Sequence, residues 1–446
     1  MLVEEHFFEH HQFYFRDNGS PVKVPDEFLK HEPQSIFFKG NVNDFDYCCF
    51  LINNNQEPYT SYFIGIDWVN SKQEKAIYVQ PKLNQGTTEQ VDYVSMLFSL
   101  LKHPETIQYV DDIYEIKWDS KPIEIPQVHD QLTPLLIVQF LQVLKQIVRK
   151  GLKKSYYKVE QNLYAKVKGK VLVAPTIKHN LLKNKPLNTF CSFDEFGFNG
   201  LENRLLKKAL VFVKRYLGSH PSLKVNTTGL ESLFNYISPA FENVSEEVNL
   251  NDVKHTKANA FYKEYEEGLR LAKLILKKFG YNITNTNPQQ TIKTPPFWID
   301  MSKLFELYVL GLLKDVYGDK IIYQFGAIKG ETYYGQPDFI LRNEGKGKII
   351  DTKYKQQYQK ETVNFDKYLI KDIRQLSAYA RDNRILKYLT GENPCILDCL
   401  IIYPDVEFLK RNEKPKIQLE KNMEIKQFNQ FYKLSVKLPV VEIKSK

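Results

Sequence analysis

Hydrophobic and polar positions change their rhythm twice along the chain. From residue 1 to about residue 125 the apolar residues fall in short alternating runs, SIFFKG, YCCFLI, SYFIGIDWV and KAIYVQPKL, separated by Asn, Asp, Gly and Pro. Alternation with period two predicts strands, and the polar tracts 53–59 and 70–75 predict hairpin tips. Near Thr133 the period becomes helical. Residues 134–154 carry an apolar stripe with a basic end, Pro134 standing at a favourable first-turn position, and 202–217 and 257–279 repeat the pattern. Strands are expected between the first two helices, at 166–173 and 187–193. Residues 282–296, rich in Asn, Thr and Pro, read as a linker.

Beyond that linker the two periods interleave. Residues 299–317 read as an amphipathic helix. Residues 338–341 alternate, the Gly-rich run 343–347 turns the chain, and 348–354 return as a second strand, which together make a hairpin. Residues 372–382 read as a helix, CILDCLIIY as a buried strand, and the tail alternates again in KIQLE and YKLSVKLPVVEI. The fold class expected is α+β multidomain: a β-rich N-terminal module at 1–130, a mainly helical middle region at 131–290 and an α/β C-terminal domain at 291–446.

The chemistry concentrates on the hairpin. Asp351 and Lys353 are two apart on one strand and so project to the same side, and Asp338 at the start of the paired strand can join them. Two carboxylates on one face make a hard oxygen site suited to Mg²⁺, and an ammonium beside them can orient water or stabilise developing negative charge. D-x-K alone is common, and a solvated surface hairpin is its plain alternative. Glu306, among Leu304, Phe305 and Leu307, is either a third metal ligand or a solvent-facing residue. Gln375 and Tyr379, spaced i and i+4, share one face of the following helix. Lys346, Lys348, Lys353, Lys355 and Lys360, interleaved with Tyr354 and Tyr358, are expected to form a surface that engages phosphates.

Length and composition bound these readings. A chain of 446 residues is long enough for two or three domains, and 43% hydrophobic with 26% charged residues is ordinary for a globular protein. Sixty-two Lys and Arg against 53 Asp and Glu leave +9, which suits a polyanionic partner without requiring one. The five cysteines contain no C-x-x-C pair, so neither disulfides nor structural zinc are expected, and Cys395 and Cys399 read as small hydrophobes of a buried strand. His6, His10 and His11 have metal-binding spacing but read as solvated surface. There is no basic-then-apolar leader and no run of 18 apolar residues, so a cytoplasmic location without membrane contact is expected. GAIKGET and NEGKGKI both fail the phosphate-loop spacing, so nucleoside triphosphate hydrolysis falls to another protein.

Taken in order, a helix with Glu306, a strand with Asp338, a D-x-K strand and a Q-x-x-x-Y helix resemble the PD-(D/E)XK nuclease superfamily in its RecB-like branch, over residues 295–403. The middle region, KVKGKVLVAPTIKHN followed by C-x-F-D-E-F and E-N-R-L-L-K ahead of that nuclease core, is similar to the McrC family, over residues 164–403. Its longer N-terminus resembles subunits of the LlaJI type. The resemblance implies a Mg²⁺-dependent endonuclease of double-stranded DNA in a two-component restriction system, whose partner is an McrB-like AAA+ GTPase hexamer that uses the GTP. It places Asp338, Asp351 and Lys353 in the catalytic positions, Glu306, Gln375 and Tyr379 in support, and the metal on Asp338, Asp351 and Glu306. It also implies that the N-terminal module docks on the partner; a chain starting near Gln131 is then expected to fold without it, and the alternative is that the module reads DNA itself. An adaptor that chiefly activates an AAA+ NTPase, or a nuclease for another nucleic acid, is the competing reading.

Overall fold

The protein is described from a computed structural model, over residues 6–9, 24, 29–30, 35–84, 89–100, 103, 109, 112–126, 132–219, 227–253, 262–279, 291–325, 336–342, 347–355, 358, 367–391, 395–405, 407–409, 413 and 415–442. It is a mixed α/β chain that divides into two compact units, one of Met1–Leu135 with Asn287–Lys446 and one of Leu136–Thr286.

The first unit interleaves the ends of the chain. Its five-stranded sheet runs in the order His6–Phe8, Ala76–Gln80, Phe63–Trp68, Phe297–Asp300 and Tyr114–Ile116. Phe63–Trp68 is buried at nearly every position, as a strand covered on both faces must be. Its other neighbour, Phe297–Asp300, arrives from more than 200 residues downstream and pairs Phe297 with Ile66. Gly65 permits that approach, since a Cβ there would meet the Phe297 carbonyl oxygen at 2.1 Å. Trp298 is fully buried beside Phe50, Phe63 and Val79, and its indole N–H donates to Asp67 at 2.8 Å.

Three sequence expectations change here. Residues 291–294 of the expected linker form a strand, Thr291–Thr294, paired antiparallel with Ile123–Pro126; composition hid the β-branched alternation of TIKT. Pro295 and Pro296 follow that strand, and the remainder of the linker, 282–290, lies outside the described residues. Tyr93–Leu100, in a stretch read as β-rich, is a helix, started by Asp92, which accepts from the Ser95 N–H at 2.9 Å. The 299–317 helix begins two residues later, at Met301, because Asp300 caps it by accepting from the Lys303 N–H at 2.9 Å while Phe297–Asp300 remains strand. The two expected hairpin tips do turn the chain, between Leu51 and Tyr59 and between Trp68 and Ala76.

The second sheet of this unit has six strands in the order Ile321–Tyr323, Phe339–Leu341, Lys348–Thr352, Asp398–Pro404, Phe431–Val436 and Met423–Glu424. The first three are antiparallel. Lys348–Thr352 then pairs parallel with Asp398–Pro404, the helices Lys367–Tyr379 and Asn383–Thr390 lying between them in sequence. Cys399 is buried in this sheet, but Cys395 lies before the strand and is exposed. KIQLE forms no strand; its end enters a 3₁₀ turn, Leu419–Lys421. All five cysteines are free.

The second unit packs the helices Leu132–Lys150 (from residue 136), Leu201–Ser219, Thr227–Ile237 and Lys263–Phe279 with a three-stranded sheet. In that sheet Ser155–Tyr164 pairs with Asn188–Gly197 over ten residues, and Lys170–Val171 adds at the other edge. The expected helix 134–154 ran too far, since Gly151 stops it at Lys150 with φ +91°. The expected strand 166–173 is only two residues long and leads into a helix, Val173–His179. Ser155–Tyr164 escaped notice because most of its side chains are exposed, so polar residues blur the alternation.

Candidate active site

The hairpin of the six-stranded sheet sets the carboxylates. Phe339 lies opposite Ile350, so Asp338, one residue before the strand, comes opposite Asp351 and within reach of Thr352. Its Oδ2 accepts from the Thr352 N–H at 2.6 Å and from the Thr352 hydroxyl. Asp351 follows the buried pair Ile349 and Ile350 and pairs with Ile401, which leaves it only 2% exposed. Lys353 stays on the sheet one residue past the strand because its N–H donates to the Ile402 carbonyl at 2.8 Å. Its ammonium returns to Asp351 Oδ2 at 2.6 Å, an oxygen at which no well-formed hydrogen bond is made.

The Lys367–Tyr379 helix supplies the opposite wall. Gln375 Oε1 accepts from the Lys353 ammonium at 3.1 Å, and Gln375 Nε2 donates to the Tyr379 hydroxyl at 2.7 Å. Gln375 therefore touches the lysine, and Tyr379 holds Gln375. Asp372, one turn earlier on this face, lies 3.9 Å from the Lys353 ammonium, 2.8 Å from that of Lys355 and 3.0 Å from the Tyr358 hydroxyl.

Burial decides the electrostatics. Asp351 is pushed up to about 7, by desolvation first and then by the nearby Asp338 charge, with Lys353 opposing. Burial works against the Lys353 ammonium, but Asp351, Asp372 and Asp338 outweigh it and hold the lysine above its ordinary range. Glu306 is also pushed up to about 7, again by desolvation and then by Asp338. It is 13% exposed and bonded to the Lys303 ammonium at 2.9 Å, so it is not a solvent-facing residue.

These groups fit a hard dication in part. The mutual repulsion of Asp351 and Asp338 is what such an ion would relieve. Among the described residues, however, no three His, Cys, Asp or Glu side chains converge closely enough to hold a metal. Lys303 draws Glu306 aside.

Asp372, Thr352, Lys303 and Tyr323, whose hydroxyl bonds to Glu306, belong to the site but were not singled out from sequence. Asp372 had a signal, since 372, 375 and 379 follow the i, i+3, i+7 spacing of one helix face. The expected phosphate surface does not form as read: Tyr354 and Tyr358 are 2% and 0% exposed, Lys348 pairs with Asp398 at 3.0 Å, and Lys355 pairs with Asp372. Lys346, Lys360 and residues 343–346 of the expected turn lie outside the described residues, as do His10 and His11.

A family described as the McrBC 5-methylcytosine restriction system component matches residues 60–404. Among solved structures, the chain is similar to one from Thermococcus gammatolerans McrB AAA+ hexamers with bound McrC, a half-complex of a tetradecameric assembly, at 14% identity and TM-score 0.37, covering 98% of this chain and 94% of that one. A Thermococcus gammatolerans McrBC complex matches at 14% identity and TM-score 0.28, over 70% of this chain and 87% of that one. No curated protein matches. Among the described residues, no helix is long and apolar enough to cross a membrane.

Proposed function

The chain belongs to the McrBC 5-methylcytosine restriction system component family, and from that premise we propose that it is the DNA-cleaving subunit of a two-component, GTP-dependent system. The observation that carries the reading is the Lys353 ammonium held between Asp351 at 2.6 Å and Gln375 at 3.1 Å, with Asp338 one residue before the adjoining strand. Asp351 and Asp338 would hold Mg²⁺, with Glu306 joining if it leaves Lys303. The ion when bound would lower the pKa of a coordinated water and neutralise charge on the scissile phosphate. Lys353, kept cationic by the surrounding carboxylates, faces the phosphate and stabilises the added negative charge of the transition state. Gln375, braced by Tyr379, fixes that ammonium.

The partner in this reading is an McrB-like AAA+ GTPase hexamer acting with the chain on double-stranded DNA; this chain carries no phosphate loop of its own. A second reading, an adaptor that activates the GTPase without cutting, is favoured by the lack of a three-ligand metal cluster among the described residues. Co-purification with the neighbouring AAA+ protein, followed by a DNA cleavage assay with GTP and Mg²⁺, separates them. Cleavage lost in Asp351→Ala supports the nuclease; GTPase stimulation with no cleavage by the wild type supports the adaptor.

A further inference from the structure

A second group of charge lies in the same compact unit, against the residue that follows Lys353. Glu9 follows the His6–Phe8 strand and is fully buried. Lys82 opens the 3₁₀ turn Lys82–Asn84 after the neighbouring Ala76–Gln80 strand, and its N–H donates to Glu9 Oε1 at 3.2 Å. From there its ammonium donates to the main-chain carbonyl of Tyr354 at 2.7 Å and lies 4.1 Å from the centre of the Tyr354 ring.

Tyr354 is the residue after Lys353, and the backbone is sharply bent there. The Lys355 N–H donates to the Lys353 carbonyl at 2.7 Å, a three-residue turn centred on Tyr354. So tight a turn closes on one backbone hydrogen bond, and its central carbonyl is the one that accepts from the Lys82 ammonium. The Tyr354 ring is fixed on its other side by Phe305, 5.6 Å away on the helix that carries Glu306. Farther on, the Lys433 ammonium holds the Tyr358 carbonyl at 2.8 Å.

Burying the Glu9 carboxylate costs several kcal/mol before its attraction to the half-buried Lys82 is counted. Glu9 is pushed up to about 7, chiefly by burial, and Lys82 is lowered to about 8 by the same cause. The Tyr354 hydroxyl lies beside Glu9 without a well-formed hydrogen bond. An apolar trio would fill this space more cheaply, but it could not grip a carbonyl.

We propose that Lys82, seated by Glu9, is a positioning residue for the nuclease: through the Tyr354 carbonyl it sets where the Lys353 ammonium stands between Asp351 and Gln375. The proposal rests on the nuclease reading above. It makes the N-terminal strands part of the catalytic apparatus.

The test uses the full chain with its AAA+ partner. Lys82→Met alone would strand the Glu9 carboxylate, so the Glu9→Gln, Lys82→Met double variant is measured beside it, together with Lys82→Arg. Displacement of the ammonium by about 1 Å lowers the single-turnover cleavage rate by about 100-fold, with DNA affinity unchanged. Hydrogen exchange should quicken in peptides covering 348–358 and not elsewhere, and Lys82→Arg, which can still donate to the carbonyl, should recover most of the rate. A double-variant rate within about threefold of wild type, or exchange quickened evenly across both sheets, overturns the proposal in favour of a packing role. If the wild type itself does not cleave, the nuclease reading fails, and the local exchange pattern alone decides whether Lys82 holds this segment.

Discussion

The two compact units bury different chemistry. In the unit of Met1–Leu135 and Asn287–Lys446, the buried side chains include Glu9, Asp67, Asp92, Asp351, Asp372 and Lys433. In the Leu136–Thr286 unit the buried polar side chains among the described residues are neutral: Gln139, Gln142, Asn180, Ser192 and Asn203. Exposed large apolar side chains occur in both, Ile396 at 67% and Phe45 at 64% in the first unit, and are more frequent in the second, where Tyr156 and Leu182 are each 76% exposed. Buried charge is costly and gathers where ionisation is used, whereas exposed apolar side chains cost the fold little. Perturbing the first unit should therefore strike stability and chemistry together, and perturbing the sheet of the second should strike neither.

The strongest test of that contrast is truncation. A chain beginning at Gln131 loses the strands on both sides of Phe297–Asp300 and bares Trp298, so it should show no cooperative thermal unfolding. A sharp melt from that chain would break the comparison and restore the N-terminal segment as a separable module. Next in size, Asp351→Ala and Lys353→Ala should each lower DNA cleavage on the order of 1,000-fold or more, read in single-turnover assays, while the circular dichroism spectrum stays that of wild type. Gln375→Ala leaves the carboxylates in place and should cost about 10- to 100-fold; a loss as complete as that of Asp351→Ala would mean that Gln375 acts directly on the phosphate.

A smaller effect follows from the raised carboxylates. Asp351 and Glu306 titrate near 7 when folded and near 4 when unfolded, so between those values the folded state binds more protons. In EDTA, then, their contribution to stability is full below about pH 4 and is lost as pH rises through about 7. The Tm of Asp351→Asn relative to wild type should climb across that window, and a flat difference between pH 5 and 8 would refute the assignment. The smallest effect belongs to the other unit: Tyr156→Ser, which breaks an exposed ring pair with Phe196 at 5.0 Å, should cost no more than about 1 kcal/mol in chemical denaturation.

The site was legible where its logic is local. A period of two puts Asp351 and Lys353 on one side of a strand, a helix puts Gln375 near Tyr379, and the hairpin brings Asp338 across to Thr352. The same spacing rule applied to Asp372 would have found it too. Glu306 was left open from sequence because a lone carboxylate among apolar neighbours looks alike whether it faces water or protein. Its contact with Lys303 is a local i, i+3 pair of the same helix, but its burial is decided by the three-dimensional packing around it.

What the sequence determined by itself is what neighbours in the chain can enforce: the hairpin, most helix bodies, the absence of a phosphate loop, and the order of motifs that matches the family. Tertiary structure alone decided that a strand at 297–300 completes a sheet begun at residue 6, that Tyr354 and Tyr358 face inward, and that Lys82 reaches the turn after Lys353. The reason is physical. Periodicity reports which face of an element is apolar, but which distant element covers that face depends on close approaches such as the one Gly65 allows, and nothing within a local window of sequence encodes its partner.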